Sequence, residues 1–180
     1  MSKIHSFVQS AKIGKIGEED VLNYLNTNDN IESIEDVRYV REYQKKDIDF
    51  IVDFKDGKQN KIEIKTDTYK SGNIYYETVS SLETDSIGCF EKTEADYLFY
   101  YYIALKDLYI FEMDQYRDWF QTQQANFKQL GYEKRPRNKG RGDSTYTSIG
   151  YAYPVKILEE LNPKWMRKIH ISDLSNEEIY

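Results

Sequence analysis

Apolar and polar positions alternate most clearly across residues 47–65, DIDFIVDFKDGKQNKIEIK. Ile48, Phe50, Val52 and Phe54 alternate with Asp47, Asp49, Ile51 and Asp53; beyond an Asp-Gly turn, Ile62 and Ile64 alternate with Lys61, Glu63 and Lys65. A period of two predicts a pair of half-buried strands. For both apolar faces to enter one core, directly opposed residues must share parity. A two-residue turn at Asp56-Gly57 fails that condition. A three-residue loop, Lys55-Asp56-Gly57 with Gly57 in the left-handed region, satisfies it and pairs Phe54 with Lys58. This register sets Asp49 opposite Glu63 and Asp47 opposite Lys65 on one charged face, with opposed Cβ atoms about 5 Å apart.

The rest of the chain is read from the same periodicities. Val21, Leu22 and Leu25 predict a helix over 18–25, ended by the polar run 26–30. Residues 37–43 read as a strand leading to the hairpin, with Lys45 and Lys46 in a solvated turn. A strand is expected over 74–80, and 97–105 and 108–113 read as a hairpin around Lys106-Asp107. Asp114 is the expected cap of a helix running to Leu130, with Tyr116, Trp119, Phe120, Phe127 and Leu130 on a core face and Gly131 as its stop. A strand over 149–153 and a short helix over 155–161, stopped by Pro163, follow. Residues 173–180 are an acidic tail expected to fray.

At 180 residues the chain is long enough for one domain, so residues 1–180 are expected to form a single domain. Aromatic residues make up 15%, which argues against disorder. The longest nearly apolar run, 97–105, is too short for a bilayer and no signal-peptide pattern follows Met1, so a cytoplasmic protein without membrane contact is expected. Cys89 is alone, and only His5 and His170 offer imidazole, which excludes disulfides and cysteine-based zinc sites. A net charge of −6 opposes wholesale coating of nucleic acid. Against that background residues 131–148 form a basic island containing Lys134, Arg135, Arg137, Lys139 and Arg141. Its Pro136, Gly140 and Gly142 suggest a mobile loop that grips phosphate.

Two carboxylates and an ammonium on one strand face suit a hard cation, because magnesium takes one or two carboxylates and keeps several waters. Lysine beside them can orient a water or balance charge on a phosphate. The acid-x-Lys triplet by itself is uninformative. It also occurs at Asp53 to Lys55 and Asp56 to Lys58. What distinguishes Glu63 and Lys65 is their strand context, with Asp49 upstream on the same face.

This Asp, hairpin, Glu-x-Lys arrangement resembles the PD-(D/E)XK nuclease superfamily, which includes Holliday-junction resolvases and many restriction and phage endonucleases. Residues 14–25, GKIGEEDVLNYL, are similar to the family's first helix and map its glutamate to Glu18, ahead of Val21. Glu77 in IYYETVS and the segment GCFEKTEADYLFYYY resemble later strands, so the likeness covers roughly residues 14–105. The family's proline is missing, since Ile48 precedes Asp49, and Asp47 becomes a rival ligand. The resemblance implies an α/β, restriction-endonuclease-like core with a central mixed β-sheet flanked by helices. It further implies Mg2+, or Mn2+ in its place, held by Asp49 and Glu63, with Lys65 and Glu18 completing the catalytic set.

The expected function is Mg-dependent hydrolysis of DNA phosphodiester bonds, with structure-directed cutting of branched DNA as one form. Junction cutting requires two symmetric sites and hence a homodimer. The alternative is a catalytically inactive binding or inhibitory protein of phage type on the same scaffold, because a fold does not determine a function.

Overall fold

Val21, Leu22 and Leu25 recur at helical spacing and line one side of a helix, α1 (Phe7–Asn26), which is longer than the stripe alone suggests. It ends where Asn26 and Thr27 turn their side chains back onto the carbonyls of Leu22 and Tyr24, at 2.9 and 2.7 Å. The structure, a computed structural model, describes residues 7–68, 71–140, 142 and 144–171. Arg141 and the acidic tail 173–180 lie outside the described residues.

After α1 come β1 (Ile31–Asp36), the single turn α2 (Arg41–Gln44), β2 (Phe50–Phe54), β3 (Gln59–Asp67), β4 (Asn73–Ser81) and β5 (Ser86–Ile87). The short α3 (Cys89–Lys92) leads to β6 (Tyr97–Tyr102) and β7 (Asp107–Glu112), then the long α4 (Met113–Gln129). The chain closes with β8 (Glu133–Lys134), β9 (Arg137–Lys139), β10 (Thr145–Thr147), β11 (Ile149–Pro154), α5 (Lys156–Leu161) and β12 (Met166–His170). The class is mixed α/β, with a central mixed sheet flanked by helices.

The chain divides into two compact units. One comprises Ile13–Lys70, Thr93–Asp114 and Lys164–Tyr180. Its sheet runs β1-β2-β3-β6-β7-β12, antiparallel except for the parallel pair β3-β6. The hairpin has the expected register: Phe50 faces Ile62 and Val52 faces Asn60, the Phe54 N–H donates to the Lys58 carbonyl, and Gly57 stands at φ +83°. Phe50, Val52, Ile62, Ile64, Phe99, Tyr101, Leu108 and Ile110 therefore share one sheet face and pack with Val21 and Leu25 of α1. Even positions of β3 supply this core, which leaves Glu63 and Lys65 on the opposite face beside Leu98 and Tyr100 of β6.

The strand expected over 37–43 is not there. The strand lies earlier, in β1, whose inward Ile31 and Ile34 are three apart because a bulge interrupts the pairing between Ile31 and Ser33. Residues 37–40 turn instead: the Val40 N–H closes on the Val37 carbonyl at 2.9 Å, and the Arg38 N–H on Asp36 Oδ1 at 3.2 Å.

The other unit comprises Met1–Lys12, Ser71–Lys92 and Gln115–Pro163. Its sheet runs β5-β4-β11-β8, with β9 and β10 as a separate ribbon. The aromatic stripe of α4 is core, as expected: Tyr116, Phe120 and Phe127 are buried, and Phe120 stacks on Tyr76 with ring centres 3.6 Å apart. Asp114 lies inside the first turn of α4. Leu130 falls outside the stripe and is exposed, because the helix closes there in a Schellman turn, with Tyr132 N–H on the Phe127 carbonyl and Gly131 N–H on that of Lys128. The basic island, expected as a mobile loop without packing, is instead ordered into strands: β8 pairs with β11, and β9 pairs with β10.

Candidate active site

The regular pairing of β2 with β3 stops at Phe50, and at Asp49 the backbone keeps a bond to β3 through its N–H while its carbonyl turns elsewhere. Its N–H donates to the Ile62 carbonyl at 2.8 Å and its carbonyl accepts the Val37 N–H at 3.0 Å. The ladder donor this leaves on β3, the Ile64 N–H, is taken by Asp49 Oδ2 at 2.8 Å. A side-chain carboxylate thus occupies a place in the sheet's hydrogen bonding, which fixes its direction.

That places Asp49 beside Glu63, close enough for each carboxyl group to act on the other. Glu63 is only 4% exposed. Burial pushes its carboxyl up to about 8, reinforced by the negative charge of Asp49 and opposed by the Lys65 ammonium, which pairs directly with Glu63 Oε1. Burial also raises Asp49, against the Ile64 N–H and Lys65, which favour its charged form. Desolvation wins at both groups because one ammonium is shared between two carboxylates.

Asp47, the rival ligand, lies beyond the regular pairing of β2 with β3, which ends at Phe50 and Ile62. The chain turns away at residues 45–47, Asp47 stands at φ +47°, and its carbonyl accepts the Thr93 hydroxyl at 2.7 Å. Its charge still acts on Glu63.

Glu18 reaches the site from α1. Its charge raises the Asp49 carboxyl, while its own carboxylate is bound by Arg38 Nη1 at 2.7 Å. Arg38 is the residue that sequence reasoning missed. Its side chain is 8% exposed, forks onto Asp36 at 2.6 and 2.9 Å, and lies 4.9 Å above the centre of the Phe50 ring. Arg38 fell within the strand expected over 37–43, where an arginine between hydrophobic neighbours reads as solvent-facing.

Asp49, Glu63, Lys65 and Glu18 thus belong to one unit. Lys134, Arg135, Arg137 and Lys139 belong to the other, as does Glu77, half-buried in β4 opposite Gly150. Among the described residues no three histidine, cysteine, aspartate or glutamate side chains gather closely enough to hold a metal ion. The donor set nonetheless fits a hard cation: Asp49 and Glu63 are all-oxygen, adjacent, and short of compensating positive charge. Among the described residues no helix is long and apolar enough to cross a membrane.

No family model, no curated protein and no solved structure matches this chain.

Proposed function

We propose that the protein is a Mg-dependent endonuclease that hydrolyses DNA phosphodiester bonds on a restriction-endonuclease-like core. One observation carries the reading: Asp49, Glu63 and Lys65 converge at the end of the β2-β3 hairpin, with a buried carboxylate whose charge is under-compensated. Asp49 and Glu63 would hold the Mg2+, with Mn2+ as substitute, and when bound the ion supplies positive charge to a phosphate oxygen. Lys65 orients the water that attacks phosphorus and balances the charge that grows on the phosphate as the bond to the leaving oxygen breaks. Glu18 and Asp47 set the local field around the pair.

The test is supercoiled plasmid incubated with and without Mg2+, using wild type and Lys65→Ala. The expected result is nicking that needs Mg2+ and is lost in the variant. Wild-type activity in excess chelator, or full activity in Lys65→Ala, would sink the mechanism. Arg38 favours the second reading, a binding or inhibitory protein on the same scaffold, because it engages Glu18, and among the described residues no group of three acidic, histidine or cysteine side chains gathers to hold a metal. Mg2+ binding without nicking of plasmid or branched DNA would select that reading.

A further inference from the structure

The described cations of the basic island differ in what holds them. Lys134 Nζ donates to the Gly131 carbonyl at 2.8 Å, and Arg135 Nε pairs with Glu133 at 2.9 Å. Neither Arg137 nor Lys139 has a carboxylate partner among the described residues. Arg137 is held instead by a neutral group, with Nε and Nη2 both donating to Thr145 Oγ1 at 3.2 and 3.0 Å. The guanidinium is therefore oriented by a neutral group, and among the described residues no carboxylate meets its other N–H groups.

The ribbon itself has two sides. Arg137 and Lys139 alternate with Asn138 along β9, so the two cations share a face, opposite Thr147 and Thr145 of β10. The side carrying Asn138 is anchored: Asn138 Nδ2 donates to Ser148 Oγ at 3.1 Å, and that buried hydroxyl also meets Tyr75 Oη at 3.3 Å. Glu83 bounds the cationic side, accepting the Thr147 N–H and hydroxyl at 2.8 and 3.0 Å.

We infer that the exposed β9-β10 face, through Arg137 and Lys139, binds the phosphate backbone of duplex nucleic acid. The inference rests on the phosphodiesterase reading for its choice of partner and narrows the contact to two of the island's described cations. A two-stranded ribbon fits the major groove of a duplex, and residues two apart on a strand present their charges in one row about 7 Å apart. Such contacts position the duplex without reading bases.

The experiment is fluorescence anisotropy of the full chain with a short labelled duplex, in chelator so that no Mg-dependent cleavage occurs, across about 50 to 200 mM salt. Wild type should lose affinity linearly in log salt. Arg137→Ala with Lys139→Ala should reduce the slope by about 1.8, at about 0.9 per lost duplex phosphate contact. Arg135→Ala, which removes a cation already paired with Glu133, should leave it unchanged, as should the charge-retaining pair Arg137→Lys with Lys139→Arg. An unchanged slope in the first variant, a reduced slope in the second, absence of wild-type binding, or equal competition by polyglutamate at matched charge would each overturn the inference. Plasmid nicking in Mg2+ separates the two claims. Nicking that depends on Lys65 with a salt slope indifferent to Arg137 and Lys139 leaves the enzyme standing and removes the ribbon; salt-dependent binding through the ribbon without nicking does the reverse.

Discussion

The carboxylate of Asp49 accepts the backbone N–H of Ile64 at 2.8 Å, taking a place in the sheet where a carbonyl would otherwise stand. The side chain is structural as well as charged. Asp49→Ala leaves that N–H without its acceptor and should cost about 1–3 kcal/mol of stability without metal. Asp49→Asn keeps an oxygen there and should cost less, while removing the negative charge a cation needs. Urea midpoints of the two variants, with and without Mg2+, are the check. Equal losses would mean that the hydrogen bond contributes nothing.

Stability should fall as pH rises across the neutral range. Burial holds Glu63 up to about 8, against about 4.3 in an unfolded chain, so the native state binds the extra proton between those values. The stabilisation is complete below the unfolded value and is lost as pH climbs through the folded one. Asp49, also raised, acts in the same direction. Glu63→Gln should flatten the profile. Mg2+ should raise the melting temperature more at about pH 8 than at about pH 6, because it must displace that proton. Melting curves over this range decide the matter, and a wild-type profile that rises with pH would contradict the assignment.

The hairpin was legible because parity alone determines its register once both apolar faces must enter one core, and Gly57 has the positive φ the three-residue loop requires. Helix α4 was legible because its aromatic residues recur at helical spacing and the packing follows them. Residues 37–40 were not. Val37, Arg38, Tyr39 and Val40 read as extended chain, yet the turn is set by partners distant in sequence: the Asp49 carbonyl for Val37 and Glu18 for Arg38. The basic ribbon escaped notice for a different reason. Backbone pairing with β10 and polar bonds to Thr145 and Ser148 hold it, and none of these leaves an apolar pattern.

Gly17 of α1 lies directly on Thr66 of β3. A Cβ at Gly17 would sit 1.9 Å from Thr66 Oγ1 and 2.8 Å from its Cβ, so the helix can approach the sheet only with glycine there. Gly17→Ala improves helix propensity by about 1 kcal/mol, but the overpacking costs about 1–3 kcal/mol, so a net loss is expected. Thr66→Ala in the same chain should recover part of the loss. A Gly17→Ala protein as stable as wild type in urea would show that the helix can shift freely.

Arg38 joins α1 to the end of β1 through Glu18 and Asp36, and its burial makes the guanidinium hard to replace. Arg38→Met keeps the stem that covers Phe50 but leaves the Glu18 and Asp36 carboxylates, with Glu19 3.8 Å from the guanidinium as a third, without their cation. The expected loss is about 2–3 kcal/mol, tempered because these carboxylates retain some contact with solvent. Arg38→Lys keeps the charge and loses the fork onto Asp36, so it should fall between. The pH dependence is distinctive. Hydrogen bonding to Arg38 holds the Asp36 carboxyl below its ordinary value, so this contribution is present above the unfolded carboxylate pKa and is lost as pH falls through the folded one. Arg38→Met should therefore differ from wild type most at neutral pH and least in acid. Urea unfolding of the three proteins at neutral and acid pH reads this directly. A difference that stays constant as Asp36 is protonated would mean that Arg38 acts only by packing on Phe50.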